Sequence, residues 1–235
     1  MRYFDLHVHS AFSEGESTIE QLAKMAKQLG FSGICFAEYF SGRHQLKKLR
    51  KQIANVVDID IFLGFEARNL RELKRLKNLR KQFDVLLVRG GNLRLNRAAC
   101  ETKEVDILTH PSFGRNDCGM NHVLMKLAAK NDVAIELNFR ELLISTKKTR
   151  AAAIANMHKL VKLAKQYKAP VIICSGAVSY FELRDPLVLQ SLGTQLGLTI
   201  TEAKQAITEV PAKIIKRSLE HRSKNWIAEG IKIVE

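Results

Sequence analysis

At 235 residues with 46% hydrophobic content, the chain can bury a sizeable core, and its length suits one α/β barrel as well as two small domains. The 38 Lys and Arg against 24 Asp and Glu leave a formal charge of +14 and a pI near 9.8, so polyanions, nucleic acid first, are the natural partners. No apolar run approaches the ~20 residues of a membrane span, residues 1–7 lack a signal peptide's apolar stretch, and Cys35, Cys100, Cys118 and Cys174 show no CxxC spacing. These absences argue against a membrane protein, a secreted disulfide scaffold and a zinc ribbon, and the expectation is a cytoplasmic protein with reduced thiols.

Short β-rich apolar runs recur along the chain at 3–7, 33–37, 61–65, 85–88, 105–108, 134–137 and 171–174, which predicts seven strands. The first helix, between the first two strands, carries both of its ends in the sequence: Ser17 and Glu20 make an S-x-x-E capping box, and Gly30 follows the last periodic residue, Leu29. Further on, Leu70, Leu73, Leu76, Leu79 and Phe83 line one face of a helix whose other positions are filled by Arg and Lys. Pro186 and Pro211 fall among C-terminal helices, where Pro211 suits a first helical turn. Strand and helix alternate throughout, implying parallel strands under right-handed crossovers, and seven such units come closer to a closed or nearly closed α/β barrel than to a doubly wound open sheet. No linker, repeat or low-complexity tract interrupts the pattern, so one domain spanning 1–235 is expected.

The first strand runs into Asp5-Leu6-His7-Val8-His9, and side-chain alternation sends His7 and His9 to the same side, where two imidazoles can share one metal ion. Glu38, Glu66, His110 and Glu136 also fall at or just after strand ends, which a parallel barrel gathers on one face. A single His or Glu at a strand end is first a hydrogen-bonded structural residue. Their coincidence at successive strand ends carries more weight. The order of the motifs DLHVH (5–9), GFE (64–66) and DILTHP (106–111) resembles the polymerase-and-histidinol-phosphatase (PHP) family. That resemblance implies a seven-stranded, distorted TIM-like barrel surrounded by helices, holding a metal cluster that hydrolyses phosphoesters. Two departures weaken the catalytic expectation: Ala37-Glu38-Tyr39 stands where active members have Thr-Asp-His, and Cys174-Ser175-Gly176-Ala177-Val178 stands where they have Asp-x-His. Without those ligands, a site would struggle to hold the second and third ions that activate water and clamp a phosphoryl group.

From Asp106 to Arg217 the sequence is similar to the archaeal ribonuclease P protein component 3 family, counterpart of the eukaryotic thirty-kilodalton subunit. The similarity lies in DILTHP (106–111), Asn121-His122-Val123-Leu124, KLAAKNDVAIELNFRELL (126–143), APVIICSGA (169–177), ELRDP (182–186), SLGTQLGL (191–198) and Pro211-Ala212-Lys213-Ile214-Ile215. It implies a subunit that supports a catalytic RNA in removing the 5′ leader of precursor tRNA, with Mg²⁺ bound to the RNA, no cofactor required by the chain itself, and no catalytic residue on it. It also implies other ribonuclease P proteins as partners, a small ferredoxin-like one among them. His7, His9, Glu66 and His110 then read as a vestigial transition-metal site, and the alternative is a free-standing metal-dependent phosphoesterase of the PHP type. RNA contact is expected from three basic clusters: Arg43, Lys47, Lys48, Arg50 and Lys51; Arg68, Arg71, Lys74, Arg75, Lys77, Arg80 and Lys81; and Lys147, Lys148 and Arg150. The first two helical windows contain only Glu72 as an acid, unlike an ordinary solvated face. Aromatic residues are few and form no stacking motif, so recognition should follow RNA shape and charge. The segment 138–143 suits either a partner surface or a lid packed on the barrel's own core.

Overall fold

A computed structural model describes residues 1–56, 58–223, 226–228 and 231–232. The main sheet has seven parallel strands in sequence order: β1 (Phe4–Val8), β2 (Gly33–Glu38), β3 (Asp60–Ala67), β4 (Val85–Arg89), β5 (Ile107–Thr109), β6 (Ala134–Asn138) and β7 (Val171–Cys174). Between them run α1 (Ile19–Gln28), α2 (Arg43–Ile53), α3 (Leu70–Asn78), α4 (Leu93–Glu101), α5 (His122–Asn131), α6 (Phe139–Ile144) and α7 (Lys147–Tyr167). After β7 come α8 (Pro186–Gln195), α9 (Ile200–Gln205) and α10 (Glu209–Arg222), then a small antiparallel pair, β8 (Trp226–Ala228) and β9 (Ile231–Lys232). The seven expected strands are all present, and the sheet curls into a nearly closed barrel. The first strand meets the segment just after the last at a single bridge, Val8 to Ala177, beside which His9 N donates to Ala177 O at 2.8 Å.

Alternation divides the apolar residues into two cores. Cys35 and Ala37, Val85 and Leu87, Ile107, Ala134, and Ile172 and Cys174 fill the barrel. Ile34 and Phe36, Leu86 and Val88, Leu108, Ile135 and Ile173 point outward under the helices. Ile214 and Ile215 of α10 join the inner core with Phe4, so α10 seals the end of the barrel where the strands begin. Each fully buried aliphatic side chain contributes about 1.5–3 kcal/mol, which is why both faces of every strand read as apolar. Pro211 lies in the first turn of α10 and Pro186 opens α8, as a residue without an N–H prefers.

Three local expectations change in the structure. The first helix is capped one residue later than expected, by Thr18 and Gln21, whose side chains exchange bonds with each other's backbone N–H. Ser17 is buried instead, its hydroxyl accepting from Tyr180 N at 3.1 Å, while Gly30, in the left-handed region, follows the helix as expected. The basic helix expected across 68–81 is shorter, because Asn69 caps its start, accepting from Glu72 N at 2.9 Å, and it ends at Asn78. Arg80 falls outside it in a one-turn 3₁₀ helix (Arg80–Gln82) and is buried. Its guanidinium donates to Asp106 Oδ2 at 2.6 Å and to the carbonyls of Phe83 and Glu104. Asp106 also takes Arg217 at 2.7 Å and Leu86 N at 2.8 Å. Arg80 is therefore a buried structural cation, and the expectation that it contacts RNA is corrected.

Candidate metal-type site and basic face

The polar site forms where the strands end. On β1 the register steps from Asp5, paired with Ile34, to Val8, paired with Phe36, so β1 carries one extra residue against β2. This β-bulge re-aims the strand: Phe4 and Leu6 belong to the inner core, yet His7 and His9 also turn into the barrel mouth. Asp5 anchors the bulge, accepting from His7 N at 3.3 Å and Ser175 N at 3.2 Å, and burial pushes its carboxyl up to about 6.

His7 is fully buried between Glu136 Oε1 at 2.6 Å from Nδ1 and His9 Nε2 at 3.1 Å from Nε2. Burial alone would push its pKa down, but the Glu136 carboxylate and its hydrogen bond, with Glu66 behind, raise it to about 9. Burial and the cationic His7 hold His9 well below the ordinary imidazole range. With His7 protonated and His9 neutral, donors run in one direction: His7 to His9, His9 Nδ1–H to Ser13 Oγ at 3.2 Å, and Ser13 to Glu38. Glu38 also accepts from the Ser10 hydroxyl and from Ser10 N at 3.0 Å, which occupies the carboxylate.

Glu66 on β3 sits 3.7 Å from His7 Nε2 and 4.0 Å from His9 Nε2, with the Thr109 hydroxyl donating to its Oε1. His110, in a left-handed backbone conformation, donates its N–H to Glu136 at 3.3 Å and places Nδ1 2.6 Å from Glu141 of α6. Asn138 caps α6, Phe139 and Leu142 pack on the core, and α6 thus lies over the barrel mouth as a lid.

The four expected ligand residues are brought together. Donor atoms of His7, His9 and Glu66 lie within 4.8 Å of one another, as do those of His7, His110 and Glu136. By donor type alone such a set suits one ion, which if bound would polarise a water or a phosphoryl oxygen, although the Arg89 guanidinium 3.5 Å from Glu66 competes for the same carboxylate. The set does not fit a multi-ion cluster. Tyr39, at one departure from the PHP pattern, accepts from Arg89 at 3.0 Å. At the other, Ser175 N bonds Asp5 and Val178 O accepts from Glu16 N at 2.7 Å, joining β7 to β1 without offering a ligand. Gly176 has φ +66, and a Cβ there would lie 2.3 Å from the Asn138 side chain, so the seam admits only glycine. Sequence reasoning missed Arg89, Glu14, Thr109 and Glu141. Arg89 and Thr109 end strands, as the identified ligands do, and could have been found that way; Glu14 and Glu141 reach the site from a loop and the lid.

The basic residues lie elsewhere. On α2, Arg43, Lys47, Lys48, Arg50 and Lys51 are exposed, and on neighbouring α3, Arg71, Lys74 and Arg75 are exposed. Arg50 reaches across to Gln82 O at 2.5 Å, tying α2 to the turn after α3. Arg68 pairs with Glu72 at 2.9 Å and covers the Tyr39 ring, Lys77 pairs with Glu104 at 3.4 Å, and Lys81 is exposed. Lys147, Lys148 and Arg150 are exposed in the first turn of α7, beside β6 on another side of the barrel. Among the described residues no helix is long and apolar enough to cross a membrane.

A seven-stranded PHP-like barrel with His7, His9, Glu66 and His110 gathered at its mouth defines the class. A histidinol phosphate phosphatase from Lactococcus lactis shares that fold at 14% identity, with a TM-score of 0.57 over 92% of this chain and 94% of that one. The profile of the ribonuclease P subunit p30 family matches residues 2–223, and the chain belongs to that family. It is similar to ribonuclease P protein component 3 of Methanosarcina barkeri, 38% identical over 100% of this chain and 96% of that one. It is also similar to that of Methanothermobacter thermautotrophicus, 33% identical over 100% and 96%. A chain in the cryo-EM structure of archaeal ribonuclease P with mature tRNA superposes with a TM-score of 0.80, at 28% identity over 98% of both chains. The chain is thus a protein subunit of ribonuclease P, acting in maturation of the tRNA 5′ end.

Proposed function

We propose that this subunit works electrostatically, presenting the α2–α3 face to the phosphates of the ribonuclease P RNA while the RNA, with its own Mg²⁺, performs the cleavage. The observation that carries this reading is the run of exposed cations on two adjacent helices with Glu72, already paired to Arg68, as their only acid. Folding a catalytic RNA crowds phosphates together, and cations placed between them reduce the repulsion and release counterions. The cluster at the start of α7 would take a second RNA segment. Precursor tRNA is then met through the holoenzyme, in the cytoplasm. A small ferredoxin-like protein would bind away from α6, whose inner side is committed to the barrel mouth.

The test is to purify the tagged protein from its own cells at low salt, sequence the RNA that accompanies it, and assay precursor tRNA cleavage with Mg²⁺. One dominant ribonuclease P RNA with 5′ leader removal supports the reading. The convergence of His7, His9 and Glu66 donors favours a second reading, a free-standing phosphoesterase. Protein free of RNA that hydrolyses a phosphodiester with a transition metal, and loses that activity in His7→Ala, would establish it.

A further inference from the structure

The donor triad of His7, His9 and Glu66 has a cationic neighbour that competes with a metal ion for its carboxylates. Arg89, the last residue of β4, places Nη1 3.5 Å from Glu66 Oε2, 3.5 Å from Glu14 Oε1 and 3.0 Å from the Tyr39 hydroxyl. Glu14 in turn lies 3.5 Å from His9 Nε2, so two of the acids beside the histidine pair, Glu66 and Glu14, face the same guanidinium. The arginine is held from the outside as well: its guanidinium carbon stands 5.5 Å from the centre of the Phe113 ring, and its side chain is only 25% exposed. Each Glu66 oxygen thus has a partner, Thr109 on one and Arg89 on the other. Among the described residues, the lone buried side-chain polar atom without a partner is Oδ1 of Asn96, outside this cluster, so the buried polar atoms of the barrel mouth find their partners within the chain.

We propose that Arg89 is a built-in cation that replaces the metal: it neutralises Glu66 and Glu14, and its fixed charge keeps a divalent ion out of the His7–His9–Glu66 pocket. A guanidinium stays protonated at every working pH, so the exclusion cannot be titrated away, unlike one made by a histidine or lysine. Removing the charge leaves two imidazole nitrogens and a carboxylate facing a small polar space, a donor set suited to Zn²⁺ or Co²⁺. The inference concerns this pocket alone and stands whichever surface carries the RNA.

The experiment compares wild type, Arg89→Met and Arg89→Lys, all prepared with chelator and checked for folding by circular dichroism. Co²⁺ is titrated into each while visible d–d absorption is recorded, and Zn²⁺ affinity is measured by competition calorimetry. Arg89→Met should bind about one equivalent roughly 10- to 100-fold more tightly than wild type. Arg89→Lys should behave like wild type, and adding His7→Ala to Arg89→Met should abolish the new bands. Tight stoichiometric binding by wild type overturns the proposal, and so does a folded Arg89→Met that binds no better than wild type. Should Arg89→Met fail to fold, Arg89→Gln replaces it under the same criteria, and the wild-type arm still decides whether the pocket excludes the ion.

Discussion

At the scale of single residues, the barrel mouth couples folding to protons. Folded His7 holds its proton up to about 9, above the ordinary 6.5. Its contribution to stability is therefore full below about pH 6.5 and is lost as pH rises through about 9. Urea denaturation across that window should show stability falling by on the order of 3 kcal/mol. His7→Gln should remove most of the slope, and an equally steep slope in that variant would place the proton elsewhere. Below this window His9 acts in the opposite sense, since a histidine held neutral in the fold loses stability as acid protonates the unfolded chain. The histidine pair was legible from its spacing together with the polar residues at the other strand ends. What turned it inward was not, because a β-bulge depends on the register of β1 against β2, which no window of β1 contains.

Among the elements, strands and helices were readable wherever a segment's own pattern decides its state. The apolar runs became β1 to β7 with shifts of a residue or two at their ends. The first helix cap shows where pattern fails: Ser17-x-x-Glu20 and Thr18-x-x-Gln21 fit equally well, and Ser17 was claimed by Tyr180 from across the fold. The basic helix shows the same limit, since Arg80 reads as one more surface cation until Asp106 appears beside it. The two kinds of arginine should separate experimentally. Replacing Lys74, Arg75 and Lys77 with Ala should leave folding intact and flatten the dependence of log RNA affinity on log salt by roughly 0.7–0.9 per phosphate lost. An unchanged slope would remove α3 from the RNA interface. Arg80→Ala should instead cost about 2 kcal/mol of stability, because Asp106 keeps Arg217 and Leu86 N but loses one of its two cations while the carbonyls of Phe83 and Glu104 lose a donor, and it should leave the slope as it was.

For the whole molecule, the weak place is the seam. Six strand pairs are laddered, whereas β1 is joined to the segment just after β7 by one bridge, backed by Asp5, Ala177 and Val178. Hydrogen exchange should find the amides of His9 and Ser175 opening at lower free energy than those of Phe65 or Leu87 in the middle of the sheet. Equal protection would mean that the barrel opens only by global unfolding. The seam also has a consequence for manufacture. A ribosome delivers β1 first, and β2 can cover one of its edges almost at once, but the partner for the other edge is Ala177. At ~5–20 residues per second the nascent chain carries that open edge for roughly 10–30 s. Closure of the barrel is thus a late event in synthesis, and of the seven strands β1 waits longest for its second neighbour.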